Sequence, residues 1–245
     1  MSVQEHIASR METIKTGFQY GKETASKIEN LDELINILGN DTSEFRSIVF
    51  EGASMELALK GFASGSMEKW KSYLHKKQEH AAQIFVGLGW AIAQEKITDL
   101  SFINDCGDLM TMRTWDGAGY FDAVFRQRQT IKSQNRLEYI PLKEFSSYDQ
   151  GMGRSLWYIA KGDTAKMSEL IALFDASRKN DLWRGIGIAC CYVGGSDETI
   201  LKALLSLAGE HKNQLSIGGR LVAKSRIEAN TMTQDVELAL KIWNE

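Results

Sequence analysis

The stretch Trp183-Arg184-Gly185-Ile186-Gly187 carries the pattern that decides the fold. Five other stretches are built alike: Phe50-Glu51-Gly52-Ala53-Ser54, Phe85-Val86-Gly87-Leu88-Gly89, Trp115-Asp116-Gly117-Ala118-Gly119, Asp149-Gln150-Gly151-Met152-Gly153 and Ser216-Ile217-Gly218-Gly219-Arg220. Their lead glycines are 35, 30, 34, 34 and 33 residues apart. A period near 34 residues is the length of a two-helix unit, although the tetratricopeptide signature of that length is absent. Glycine inside a helix costs about 1 kcal/mol relative to alanine, so packing must offset two per unit. A second small residue often falls four along, as in Gly87 with Ala91, Gly119 with Ala123 and Gly185 with Ala189. Residues four apart share a helix face, and glycines two apart lie on nearly opposite faces. Such a helix can be approached closely on both sides. It is expected to be an inner helix in a stacked row, with the second helix of each pair outside.

The chain between the steps agrees with an all-α class. There is one proline, Pro141, and no alternating strand pattern. Gly162-Asp163 and Gly194-Gly195-Ser196 read as a helix C-cap followed by an N-cap, with Asp197 and Glu198 in the next first turn. Outer helices are expected near 66–79, 164–174 and 197–207. Residues 1–40 lack the step and are expected to form an N-terminal helical cap, with Ile7, Met11, Ile14 and Phe18 on one face. Residues 41–245 then form one continuous helical-repeat domain, an α-solenoid or curved array. The run 126–136 carries Arg126, Arg128, Lys132 and Arg136 without an acid. It reads as the longest irregular connection, either a solvated face or a docking patch for an acidic partner.

Composition removes several function classes. The formal charge is −3 over 245 residues, which gives no general field for nucleic acid. No apolar run has the roughly 18 residues of a membrane span, and the charged N-terminus does not resemble a signal peptide. Cys106, Cys190 and Cys191 form no disulfide framework and suit a reducing cytoplasm. His6, His75, His80 and His211 are scattered, so no metal site is expected. No phosphate loop or dinucleotide fingerprint points to a cofactor.

The candidate chemistry lies beside the glycines. Glu51, Asp116 and Arg184 immediately precede a lead glycine, and Asp149 lies one position earlier. Acids in such places commonly cap helix N-termini. Alternatively, stacked inner helices bring them to one face, where carboxylates Glu51, Asp116 and Asp149 are candidate acid catalysts. Crowded carboxylates raise one another's pKa and can keep one protonated as a general acid. Arg154 and Arg184, with Trp90, Trp115, Trp157, Tyr158 and Trp183, are the candidate ligand-binding residues, although aromatics at helical spacing also fill cores.

Several longer motifs carry a family resemblance. They are Glu51-Gly-Ala-Ser-Met-Glu-Leu-Ala-Leu59, Val86-Gly-Leu-Gly-Trp-Ala-Ile-Ala93, Asp116-Gly-Ala-Gly-Tyr120, Tyr148-Asp-Gln-Gly-Met-Gly-Arg-Ser-Leu-Trp-Tyr158, Asp181-Leu-Trp-Arg-Gly-Ile-Gly-Ile-Ala189 and Tyr192-Val-Gly-Gly195. Together they resemble domain-of-unknown-function family 1702, associated with the gene cassettes of enediyne polyketide biosynthesis. The resemblance runs from about Phe18 to Trp243 and implies a cytoplasmic bacterial protein of specialised metabolism. The family pattern has a histidine after the third step, where this chain reads Gly119-Tyr120-Phe121-Asp122, so no role for that histidine carries over unless Asp122 substitutes.

Three functions follow as expectations. The first is an accessory protein that binds a hydrophobic, polyketide-like intermediate or docks an acyl-carrier protein. The second is a cofactor-independent acid catalyst of cyclisation, isomerisation or dehydration. The third is self-resistance by sequestering a toxic product.

Overall fold

The structure is a computed structural model that describes residues 1–244, those of 104 and 105 by backbone alone. Among the described residues the chain is all-helical, with twelve α-helices and no strand. In chain order they are α1 (Val3–Lys27), α2 (Leu31–Leu38), α3 (Arg46–Ser64), α4 (Glu68–Lys76), α5 (Ala81–Glu95), α6 (Asp108–Phe125), α7 (Phe145–Ala160), α8 (Thr164–Ala172), α9 (Ala176–Val193), α10 (Glu198–Ala208), α11 (Lys212–Glu228) and α12 (Gln234–Trp243).

The glycines set the packing order. Each lead glycine lies against a backbone carbonyl of the helix before it: Gly52 on Phe18, Gly87 on Glu51, Gly117 on Val86, Gly151 on Asp116, Gly185 on Gln150 and Gly218 on Arg184. A Cβ at any of these positions would stand 1.8 to 2.2 Å from that oxygen. Each second glycine meets the following helix instead: Gly89 on Thr114, Gly119 on Tyr148, Gly153 on Leu182 and Gly187 on Leu215. Ser54 holds the second place in α3 and donates its hydroxyl to the Ile84 carbonyl at 2.6 Å. The order of closely packed helices is therefore α1, α3, α5, α6, α7, α9, α11. Glycine suits these positions because backbones touch there.

Helix α1 also belongs to this row, which its lack of a full step concealed. Gly21 fills the second position, where a Cβ would stand 1.9 Å from the Val49 carbonyl oxygen of α3. The lead position holds Gln19, which is exposed. At the other end the second position of α11 holds Arg220, also exposed. Glycine is missing from the lead place of α1 and the second place of α11, where the side chains Gln19 and Arg220 are exposed.

Second helices follow most members of the row. α4, α8 and α10 coincide closely with the expected outer helices, and α2 and α12 follow α1 and α11. After α5 and α6 no α-helix intervenes; a 3-10 turn (Ser101–Cys106) and a π turn (Arg128–Lys132) take that place. Lys161 and Gly162 end α7 in left-handed conformations, and Asp163 caps α8 through the amides of Ala165 and Lys166. Gly194 ends α9, but the cap of α10 is Asp197, which accepts from Ile200, not Ser196.

The row curls back on itself. Arg10 of α1 donates Nε to the Val193 carbonyl at the end of α9, and Ile7 lies beneath the Gly162 turn. Arg226 of α11 donates to the Glu44 carbonyl before α3 at 3.0 Å. Interior faces of α3, α5, α6, α7, α9 and α11 consequently converge, with α1 along one side. Trp70, Trp115, Trp157 and Trp183 are fully buried in the surrounding core, each rich in apolar contact area.

Candidate functional site

A cleft of about 640 Å³ opens between α1 and the curled row. Met11, Ile14 and Phe18 from α1 form one wall, and Trp90, Tyr120, Val124 and Phe125 form the other. The rings interlock: Phe18 lies 4.5 Å from Trp90, Trp90 lies 5.3 Å from Tyr120, and Tyr120 meets Tyr158 edge-on at 5.5 Å. The polar end is made by Glu51 and Arg154, while Glu12, Lys15, Gln19 and Lys161 stand around the opening. Volume and lining match those of small-molecule sites, which are mostly apolar with a few placed polar groups.

Glu51 and Arg154 also line a void of about 20 Å³ behind the cleft, with Arg113, Tyr192 and Ser225. Such a volume holds about one water molecule. Glu51 is 3% exposed. Burial pushes its carboxyl up to about 8, Arg154 opposes this, and Asp116 adds to it. At neutral pH Glu51 therefore faces the cleft mainly as a neutral acid able to donate an O–H.

Arg154 is held by an ion pair with Asp116 of α6. Burial works against its charge, but Asp116 and Glu51 outweigh that and hold Arg154 above the usual guanidinium range. Gln150 donates Nε2 to Asp116 at 2.5 Å, and Arg184 donates Nε to Gln150 at 2.5 Å. Asp116, Gln150 and Arg184 each precede a lead glycine, so equivalent places on α6, α7 and α9 form a continuous ladder. Glu51 is the same place on α3.

The sequence candidates thus separate in space. Glu51, Trp90, Arg154 and Tyr158 line the cleft. Asp116 is fully buried behind Arg154, and Arg184 extends the ladder away toward Asp181 and Gln214. Asp149 points elsewhere and accepts both Nε and Nη2 of Arg178, at 2.9 and 2.6 Å. Trp115, Trp157 and Trp183 are core residues outside the cleft walls. The expectation that the acids cap helix starts is corrected: Glu51, Asp116 and Asp149 each lie more than one turn inside α3, α6 and α7.

Asp122, the acid after the third step, also lies away from the cleft. It is fully buried and accepts from Tyr139 at 2.7 Å and Tyr148 at 2.9 Å, besides pairing with Arg126. Burial raises its pKa, and Tyr139 and Arg126 counter that rise. The basic run 126–136 is correspondingly not all solvated, since Arg126 pairs with Asp122 and Arg136 with Asp149. Cys190 and Cys191 are buried, and burial lifts both thiols, Cys190 to about 12, so neither is a ready thiolate.

Residues that sequence reading missed have identifiable signals. Gln150 obeys the rule that picked out Glu51 and Asp116, being the residue immediately before Gly151. Met11, Ile14 and Phe18 share one amphipathic face, whose spacing does not say what it faces. Arg113, Tyr120 and Tyr192 had no periodic mark pointing to a shared cavity.

A family model described as "Protein of unknown function (DUF1702)" matches residues 1–245. No curated protein and no solved structure matches the chain.

Proposed function

From a chain that belongs to the family of proteins of unknown function DUF1702, we propose that this protein binds an elongated apolar small molecule in the cleft between α1 and α3, α5, α6 and α7. The observation that carries the reading is an aromatic cavity of about 640 Å³ ending on the buried Glu51 and the partly buried Arg154 side chain. Apolar walls supply affinity and the polar end fixes orientation. In this reading the helix-pair array is a curved scaffold whose interior holds the ligand. With the resemblance to enediyne-associated proteins, the ligand is a polyketide-like intermediate and the protein an accessory component of bacterial, cytoplasmic specialised metabolism. Carrier-protein docking and product sequestration have no separate feature supporting them.

A second reading is favoured by one observation. Glu51 is a carboxyl raised to about 8 that faces an apolar cavity, the setting of a general acid. Proton donation from Glu51 to a bound polyene would serve a cyclisation or isomerisation. Asp116 would act there through Arg154 as a positioning residue, and Asp149 would take no part.

The binding reading is tested with the methyl ester of trans-parinaric acid, a linear conjugated tetraene that accepts tryptophan emission. Saturable quenching at one site per chain, lost in Val124→Trp, is the expected result. Equal quenching in Val124→Trp contradicts it, as does the absence of saturable quenching by both the ester and the free acid. Addition of the ester to Glu51→Gln and wild type, followed by chromatography, tests for turnover that requires Glu51.

A further inference from the structure

The polar end of the cleft has an unmatched positive charge. Arg113 is 9% exposed, and its guanidinium reaches Ser225 Oγ at 3.4 Å with no acidic side chain in ion-pair contact among the described residues. Burial lowers its pKa and Asp116 opposes this, yet an arginine keeps its charge at any ordinary pH. Arg154 already shares Asp116. That leaves the positive charge of Arg113 without a carboxylate in contact among the described residues.

The other charged groups nearby do not cancel it. Arg226 is engaged by the carbonyls of Glu44, Tyr192 and Thr231 and is faced by the Glu44 carboxylate at 3.9 Å. Glu12, Lys15 and Lys161 stand at the opening, and Glu228 is exposed. Two polar atoms in these walls are also buried without a hydrogen-bond partner: Trp90 Nε1 and Tyr192 Oη. Buried polar groups left unpaired are uncommon and mark places where a partner is absent.

We propose that Glu51, Arg154 and Arg113 form a carboxylate subsite, so that the ligand of the cleft is an apolar monocarboxylic acid. This rests on the binding reading above and names its ligand class. The chain lies along Phe18, Trp90 and Val124. The carboxylate accepts an O–H from Glu51 and meets Arg154, and its charge offsets Arg113 across the void. A neutral alcohol or ester leaves the buried charge uncompensated, which is costly in a low-dielectric interior.

The test compares trans-parinaric acid, its methyl ester and the corresponding alcohol against the full chain at pH 7, read by tryptophan quenching. The acid is expected to bind about tenfold more tightly than either neutral form. In Arg113→Met that ratio falls below about threefold, and Arg113→Lys restores it. Thermal melts followed by circular dichroism establish that each variant is folded, and the wild-type comparison stands without them. Equal affinity for all three probes overturns the carboxylate subsite and leaves the cleft reading intact. Binding of none overturns the cleft reading itself. An unchanged acid preference in folded Arg113→Met also overturns the assignment of Arg113.

Discussion

Gly151 sits against the carbonyl oxygen of Asp116 so closely that a Cβ on it would stand 1.8 Å away. The residues on either side of that glycine, Gln150 and Arg154, hold the carboxylate of the same Asp116. The glycine therefore does two things at once. It brings the backbones of α6 and α7 together, and that approach places a buried carboxylate within reach of both partners. Arg154 is thereby oriented toward Glu51 and the cleft.

Substituting this glycine should be severe. Gly151→Ala forces α6 and α7 apart, with a loss of more than about 3 kcal/mol. For a chain of this size that lowers Tm by roughly 6 to 12 °C. Gln19→Ala, at the equivalent place on α1 where no helix presses, should cost less than about 1 kcal/mol. Equal melting temperatures for Gly151→Ala and wild type would remove the packing role.

Stability should fall as pH rises through the neutral range. Glu51 has an ordinary value of 4.5 and sits at about 8 when folded. The unfolded chain thus releases this proton first, and the stability Glu51 contributes is present below 4.5 and lost up to about 8. His80 acts oppositely, because burial lowers it to about 4 from 6.5 and its contribution is lost as pH falls through that window. Comparison with Glu51→Gln isolates the Glu51 effect from His80 and from the other raised carboxyls, Asp122 and Glu144. Urea midpoints between pH 6.5 and 8 should decline more steeply in wild type than in Glu51→Gln, with a difference of several kcal/mol at pH 8. A level wild-type profile would contradict the buried neutral acid.

Asp116→Asn tests the coupling across the site. Removing that charge leaves Arg154 buried without its anion, a loss of about 3 to 5 kcal/mol if nothing compensates. Glu51 is the nearest available replacement, so its pKa should fall toward 4.5 and the decline between pH 6.5 and 8 should flatten. Carboxyl carbon shifts of Glu51 followed by NMR report this directly. An unaltered titration would mean that the two acids do not interact.

How far the sequence carried the reading depends on what its glycines encode. A glycine records that a neighbour's backbone is near, so the all-helical class and the two-sided packing of Gly87 and Gly89 were legible. The membership of α1 was not, because its lead place holds the exposed Gln19 and not a glycine. The cleft was legible only in part. Glu51 and Arg154 fall near the step, but Phe18 and Tyr120 reach the same cavity through the curl of the row, and local periodicity does not encode that curl. Asp149 stands close to a glycine in sequence, yet helical rotation by one residue turns it to Arg178 and leaves Gln150 on the ladder.

Asp122 should prove structural. Asp122→Ala removes the acceptor of Tyr139 and Tyr148 and strands Arg126, costing about 3 to 5 kcal/mol. The affinity of the cleft for the parinaric probes, measured below the melting transition, should change less than about twofold. A large loss of binding with little loss of Tm would instead tie Asp122 to the ligand.

Photo-crosslinking addresses the central claim most directly. An aliphatic carboxylic acid with a mid-chain diazirine, irradiated with the full chain, places its adducts wherever the chain of the ligand lies. The account predicts adducts on α1 between Met11 and Phe18 and on Tyr120, Val124 or Phe125, suppressed by excess unlabelled acid. Adducts confined to the outer faces of α8 and α10, or adducts that excess acid does not suppress, would contradict it.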